Sequence, residues 1–261
     1  MTNIRRMMSV QTATIHQPNL QWHMDAGDSA SYSGSGQIWY DLTSNDFDLY
    51  LGRNDSVSSD DPTFNGSAGG KSGSEYFSFD GGDVFEMINA HSGEYVRKIG
   101  REDQPFTLEY WIYFGHIDGT IQSLFTNGYA GNAAGFGYYY DYTTDKRLIC
   151  NAMQLDQLVG ENDTDIEIGG WHQCVIAAQL NDSTSTFYLD GAADGTWTAD
   201  QAGYWESGDS SQKVMISGRC CDGYLMIHNL GRLAIVRGYD AKLTAAQVLN
   251  NFNVDRGRFS L

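Results

Sequence analysis

The 261 residues hold 33 Asp and Glu against 16 Lys and Arg, and the formal charge of −17 excludes nucleic acid as a natural partner because phosphates would be repelled. With 30 Gly, 3 Pro and 13% aromatic residues, the composition favours pleated sheets joined by many turns over a helical body. No apolar run reaches bilayer length and no secretory leader is visible, so the residues predict a soluble protein made in the cytoplasm, without membrane insertion.

Residues 1–18 show no sustained periodicity and read as an arm, with Arg5 and Arg6 its charged residues; residues 19–261 read as one domain. From Leu20 the pattern turns to strand, with Leu20, Trp22 and Met24 alternating against Gln21 and His23. A Ser/Gly cluster over 31–36 marks a turn, and the Ser-, Gly- and Asp-rich stretch 55–74 reads as a long surface loop. Tyr76, Phe77 and Phe79 predict the next strand. Phe106, Leu108, Tyr110, Ile112 and Phe114 place one apolar face on a strand over 106–114.

Residues 171–178 and 184–189 flank a polar turn and read as a hairpin. A short strand is expected over 213–217, and Leu233–Val236 form a compact apolar run typical of a buried strand. Thr244 and Gln247 have the spacing of a capping box. Ala245, Val248, Leu249 and Phe252 then fall on one stripe of a short helix. Many short strands and one terminal helix predict an all-β, two-sheet antiparallel sandwich with an N-terminal arm.

Cys150, Cys174, Cys220 and Cys221 match no zinc spacing, and adjacent Cys220 and Cys221 are strained as a mutual bridge, so reduced thiols are expected.

Five segments, taken together, carry a resemblance. Phe106-Thr-Leu-Glu-Tyr-Trp-Ile-Tyr113, Gly170-Trp-His-Gln-Cys-Val175, Thr186-Phe-Tyr-Leu-Asp-Gly191, Ile216-Ser-Gly218 and the run from Gly231 to Gln247 occur in this order. They resemble the laminin-G-like, concanavalin A-like lectin and glucanase jelly roll. The stretches His23–Leu42 and Asn250–Phe259 resemble the flanks of such modules in bacteriophage structural proteins. The resemblance implies a jelly-roll sandwich and a non-enzymatic virion protein, either a capsid decoration or a fibre-type appendage. Its partners would be other virion proteins and cell-surface glycans, and it would form a homo-oligomer on the particle. The alternatives are a lectin or adhesin module and, third, a glycoside hydrolase of the laminarinase type.

The chemistry of each reading falls on particular residues. Docking on a neighbouring subunit is assigned to Arg5, Arg6, Met7 and Met8, with Arg256 and Arg258 from the other terminus. Glycan stacking needs exposed aromatic faces, and Tyr138, Tyr140, Tyr142, Tyr204 and Trp205 are the candidates. Hydrolysis needs two carboxylates flanking the scissile bond. The run Glu161-Asn-Asp-Thr-Asp-Ile-Glu167 comes nearest, but Ile166 stands where the laminarinase pattern has a glutamate, so an acidic loop is expected instead. No cofactor is implied with certainty. Calcium is the metal the chain would admit, on oxygen-rich Asp60-Asp61 and Asn162, Asp163 and Asp165, without a twelve-residue loop pattern. His172 is expected to pack as part of the sheet.

Overall fold

The computed structural model describes residues 14–88, 99, 104–115, 121–127, 136–141, 146–152, 157–179, 185–197, 213–218 and 231–261. In chain order the first strands are β1 (Leu20–Asp25), β2 (Ile38–Trp39), β3 (Leu49–Leu51), β4 (Thr63–Asn65), β5 (Tyr76–Ser78) and β6 (Phe85–Met87). The long middle strands follow: β7 (Phe106–Tyr113), β8 (Ile121–Thr126), β9 (Phe136–Asp141), β10 (Arg147–Ala152) and β11 (Gln157–Glu161). The last are β12 (Trp171–Ala178), β13 (Ser185–Leu189), β14 (Ala192–Trp197), β15 (Met215–Ile216) and β16 (Arg232–Tyr239), before helix α1 (Ala245–Asp255) and a 3₁₀ turn, Arg256–Phe259.

Two antiparallel sheets face each other. One runs β14-β13-β12-β7-β16-β5-β4, with β1 also paired to β16; the other runs β11-β10-β9-β8-β15-β6-β3-β2. β5 pairs with the start of β16, and β1 with its remainder. Between the sheets lies one large core that includes Trp22, Trp39, Phe77, Phe85, Tyr110 and Phe125. The apolar alternation of β7 predicts this placement, because Phe106, Leu108, Tyr110 and Ile112 all point into that core. Trp22 needs room: it sits opposite Gly238, where a Cβ would fall 1.1 Å from the indole Nε1. The surface loop expected over 55–74 holds a further short strand, β4, on the edge beyond β5.

The other face of β7 is also covered. Thr107, Glu109 and Trp111 point away from the core, yet all are buried: the segment at Ala241 and Leu243 covers Thr107, and α1 and the 3₁₀ turn cover Glu109 and Trp111. Trp111 stacks against Phe252 and Phe259, with ring centroids at 5.8 and 4.5 Å. Beneath the helix Glu109 takes hydrogen bonds from Arg237 (2.8 Å), Gln173 (2.9 Å) and Asn251 (2.7 Å), and Arg237 also meets Asp255 at 2.7 Å. A buried guanidinium and carboxylate are tolerated only with such dense pairing.

The capping box at Thr244 and Gln247 is present as expected. The expected helix stripe is corrected. Its buried residues are Val248, Asn251 and Phe252, while Ala245 is exposed and Leu249 is 46% exposed. Asn251 turns that face inward by bonding Glu109 and the Tyr239 hydroxyl (2.9 Å), and its side-chain Oδ1 accepts the backbone N–H of His16 at 2.7 Å. Residues 14–18, read as the end of an arm, therefore lie on the domain's own helix, with Ile15 buried and the Thr14 carbonyl accepting from Asn250 at 2.9 Å.

Candidate functional site

The hairpin motif shows how local chemistry builds the surface. Asp190 and Gly191 both have positive φ, 50° and 79°, as a two-residue type I′ turn requires. Gly191 is needed twice, since a Cβ there would approach Phe252 to 2.8 Å. The Asp190 carboxylate accepts from the Gln173 backbone N–H and pairs with His172 Nδ1, each at 2.9 Å. His172 Nε2 lies 3.0 Å from the Glu167 carbonyl oxygen. Both ring nitrogens face acceptors, so only the imidazolium satisfies both. Burial opposes that charge, but the Asp190 hydrogen bond and charge outweigh it and raise the pKa. His172 thus ties the strand to the hairpin, a structural role as expected, but through charge and hydrogen bonds rather than packing.

The acidic run has structural work. Arg147 reaches Glu161 at 3.5 Å and Asp165 at 3.4 Å. Buried Asn162 accepts from Leu148 N–H (2.7 Å) and donates to the Thr164 carbonyl and to Asp194, both at 2.6 Å. At the other oxygen-rich site, Asp61 accepts from Ser58 N–H at 3.0 Å, the Ser58 hydroxyl bonds Asp60, and Arg53 meets Asp60 at 3.4 Å. Among the described residues, no group of three or more His, Cys, Asp or Glu is placed to hold a metal. Cys150 and Cys174 are buried and unbridged, and no described helix is long and apolar enough to cross a membrane.

Several assignments of site residues are corrected. Tyr138 and Tyr140, expected as exposed stacking faces, are fully buried. β9 lies inside its sheet between β8 and β10, and these rings pack into the core: Tyr138 near Phe187 at 6.2 Å, Tyr140 on Phe114 at 4.1 Å. Arg258, expected to dock on a neighbour, is turned inward, its Nη1 2.6 Å from Asp25 Oδ1, with both side chains only 8% exposed. Arg256 is exposed, with its guanidinium 5.7 Å from the Phe252 ring centroid. Tyr142, Tyr204, Trp205, Arg5, Arg6, Met7 and Met8, like Cys220 and Cys221, lie outside the described residues.

Arg258 also borders a cavity of about 810 Å³ between β1, the 3₁₀ turn and the loop at Lys71. Its charges are largely matched internally: Asp25 with Arg258, Asp255 with Arg237, and Lys71 with Asp28 at 2.7 Å. Burial, then Arg237, Lys71 and Arg258, hold the pKa of His23 well below the usual histidine range, so this imidazole adds no charge to the wall at neutral pH. The cavity is a polar seam between the two ends of the domain.

The surface most suited to a ligand lies elsewhere, at one end of the outer face of the β7 sheet. There the register sets Trp171 opposite Tyr113, Tyr113 opposite Arg232, and Arg232 opposite Ser78. These four positions form a row across β12, β7, β16 and β5, three inter-strand steps of about 4.8 Å each. The row begins where α1 stops covering the sheet, so Tyr76, Tyr113, Trp171 and Arg232 are half-buried rather than sealed. Trp171 meets Tyr113 and Tyr76 edge-on, each at 5.9 Å, and backs on Phe259 at 4.8 Å. The Arg232 guanidinium carbon lies 4.4 Å from the Tyr113 ring centroid and 4.9 Å from that of Tyr76. The result is an aromatic surface, braced by ring contacts, with a cation at its centre.

Sequence reasoning missed these residues. Tyr113 continues the outward parity of Thr107, Glu109 and Trp111, and Trp171 opens the Gly-Trp-His segment, but only the strand register brings them beside Arg232.

A family model described as the concanavalin A-like lectin/glucanases superfamily matches residues 91–249, more than half of the chain. Among solved structures, domain 4 of AbnA, a GH43 extracellular arabinanase from Geobacillus stearothermophilus, in complex with arabinotriose, has a TM-score of 0.60 at 13% identity, covering 92% of this chain and 100% of that one. Trypanosoma rangeli sialidase in complex with the inhibitor DANA has a TM-score of 0.57 at 14% identity over 92% of this chain. The match spans only 33% of the sialidase. At these identities the likeness is one of fold. No curated protein matches the sequence.

Proposed function

We propose that this chain, which belongs to the concanavalin A-like lectin/glucanase superfamily, is a carbohydrate-binding module that performs no chemistry on its ligand. The observation that carries this reading is the half-exposed row of Trp171, Tyr113 and Arg232, with Tyr76 beside it. Pyranose C–H faces stack on aromatic rings, and neighbouring polar groups hold the hydroxyls. Rings fixed by cross-strand packing bind with little loss of side-chain freedom. The arabinotriose complex of the arabinanase domain supports the reading by analogy of scaffold.

The non-enzymatic part rests on the acidic run, whose Glu161 and Asp165 are engaged by Arg147 while Asn162 braces the loop. A printed glycan panel probed with the wild type and Trp171→Ala tests binding: glycans held by the wild type and lost by the variant support it, and equal binding by both refutes the site. Incubation with β-glucans tests catalysis, and turnover sensitive to Glu161→Gln or Glu167→Gln would refute the non-enzymatic reading.

A phage-particle setting is the finer proposal. It is favoured by the flanks that resemble phage structural modules, which meet in space: Asp25 from the first flank holds Arg258 from the second. In this setting the module is displayed on the virion as a decoration or fibre-type part, and its negative charge limits self-association. Immunogold labelling of purified particles by an antibody to the chain supports the setting, and label confined to free protein in the lysate contradicts it.

A further inference from the structure

We infer that the ligand of this surface is a sugar bearing a carboxylate, and that Arg232 is the residue that selects it. The inference rests on the glycan-binding reading above and names its ligand class.

The chain carries 33 acidic residues, and among the described residues the other inward-turned arginines are matched with them: Arg237 with Glu109 and Asp255, Arg258 with Asp25. Arg232 is different. Among the described residues no carboxylate or other hydrogen-bond acceptor partners it, and its contacts are the faces of Tyr76 and Tyr113. In an acidic protein, a guanidinium fixed between two rings and left with its fork of donors unused is preorganised for an incoming anion.

A guanidinium can meet a carboxylate through two parallel hydrogen bonds, and the flanking rings remove the entropy of positioning it. Trp171 and Tyr113 lie in the same row, so a sugar ring can stack while its carboxylate reaches Arg232. The net charge of −17 argues against a long polyanion such as nucleic acid, since the summed repulsion grows with every phosphate. A single acidic sugar in a stacked chain escapes most of that penalty. The chemistry points to a uronic- or sialic-type residue within an otherwise neutral oligosaccharide.

The test is a panel of oligosaccharides in which each uronic- or sialic-acid member is paired with its carboxyl-reduced form. The intact chain is titrated as wild type, Arg232→Gln, Arg232→Lys and Trp171→Ala, with far-UV circular dichroism reporting the fold of each. We expect the wild type to prefer acidic members by at least tenfold, with the preference shrinking as salt rises. Arg232→Gln should erase the preference while keeping the residual affinity for reduced members, and Arg232→Lys should recover part of it. Trp171→Ala should weaken both forms together. Equal wild-type affinity for acidic and reduced members would overturn the role of Arg232 and leave the stacking surface standing. Absence of binding to every member would overturn the glycan reading itself.

Discussion

Arg258 Nη1 lies 2.6 Å from Asp25 Oδ1, joining the 3₁₀ turn to β1 in a pair whose side chains are each only 8% exposed. The same carboxylate oxygen accepts the Gly27 N–H at 2.8 Å, and a Cβ at Gly27 would strike the guanidinium at 2.4 Å. The matched family region, 91–249, contains neither residue, yet β1 through β6 contribute strands to both sheets. The domain is therefore closed by parts lying outside its most recognisable sequence.

Arg258→Met should expose what this closure contributes. It leaves the Asp25 carboxylate buried beside an apolar chain, and breaking a buried pair in this way costs about 3–5 kcal/mol. Urea unfolding followed by tryptophan fluorescence should show that loss, and limited proteolysis should cut first near the C-terminus. A midpoint unchanged from the wild type would show that the pair is dispensable.

Glu109→Ala is expected to be comparably damaging, about 3–5 kcal/mol, because it leaves buried Arg237 with Asp255 alone and removes acceptors used by Gln173 and Asn251. Loss should appear first as helix undocking, read by amide exchange over 245–255. Protection equal to the wild type would contradict the role given to the network.

The strands were legible because period-two alternation survives in sequence, as in Phe106, Leu108, Tyr110 and Ile112. The cap at Thr244 was equally visible. Tyr138 and Tyr140 misled because β9 is covered on both faces, Tyr139 included, so alternation says nothing about exposure there. Asn251 hid the true helix face, since a polar residue at a buried position breaks the apolar stripe. Arg258 finds Asp25, and Trp171 finds Arg232, only through register and closure over long sequence separations.

Charge at His172 predicts a pH dependence. Its folded pKa is raised, so its contribution is fully present below the ordinary value of 6.5 and fades as pH rises through the folded value. Asp190→Asn keeps a residue suited to the type I′ turn but removes the charge. The variant should lose on the order of 1 kcal/mol at pH 5.5 and much less at pH 9, measured by thermal melts at both. An equal loss at both pH values would rule out the imidazolium.

Asp83 gives a second pH dependence. Burial, aided by Asp80 and Asp61 and opposed by the Asp80 N–H, pushes its carboxyl up to about 7. A raised carboxyl favours the folded state at low pH, and that contribution is lost as pH climbs through about 7. Asp83→Asn should therefore stabilise the protein at pH 8.5, by on the order of 1–2 kcal/mol, and by clearly less at pH 5, where only part of the low-pH contribution has been lost. Destabilisation at pH 8.5 would contradict this.

The most direct measurement is a two-dimensional NMR titration of the labelled chain with an oligosaccharide that the panel identifies as a ligand. The account predicts shifts concentrated at the Trp171 indole and the backbone of Tyr76, Tyr113 and Arg232, with β9 and the Glu161–Glu167 loop silent. Shifts centred instead on the polar cavity at Asp25 and Arg258, or on the acidic loop, would place binding elsewhere and contradict the aromatic row.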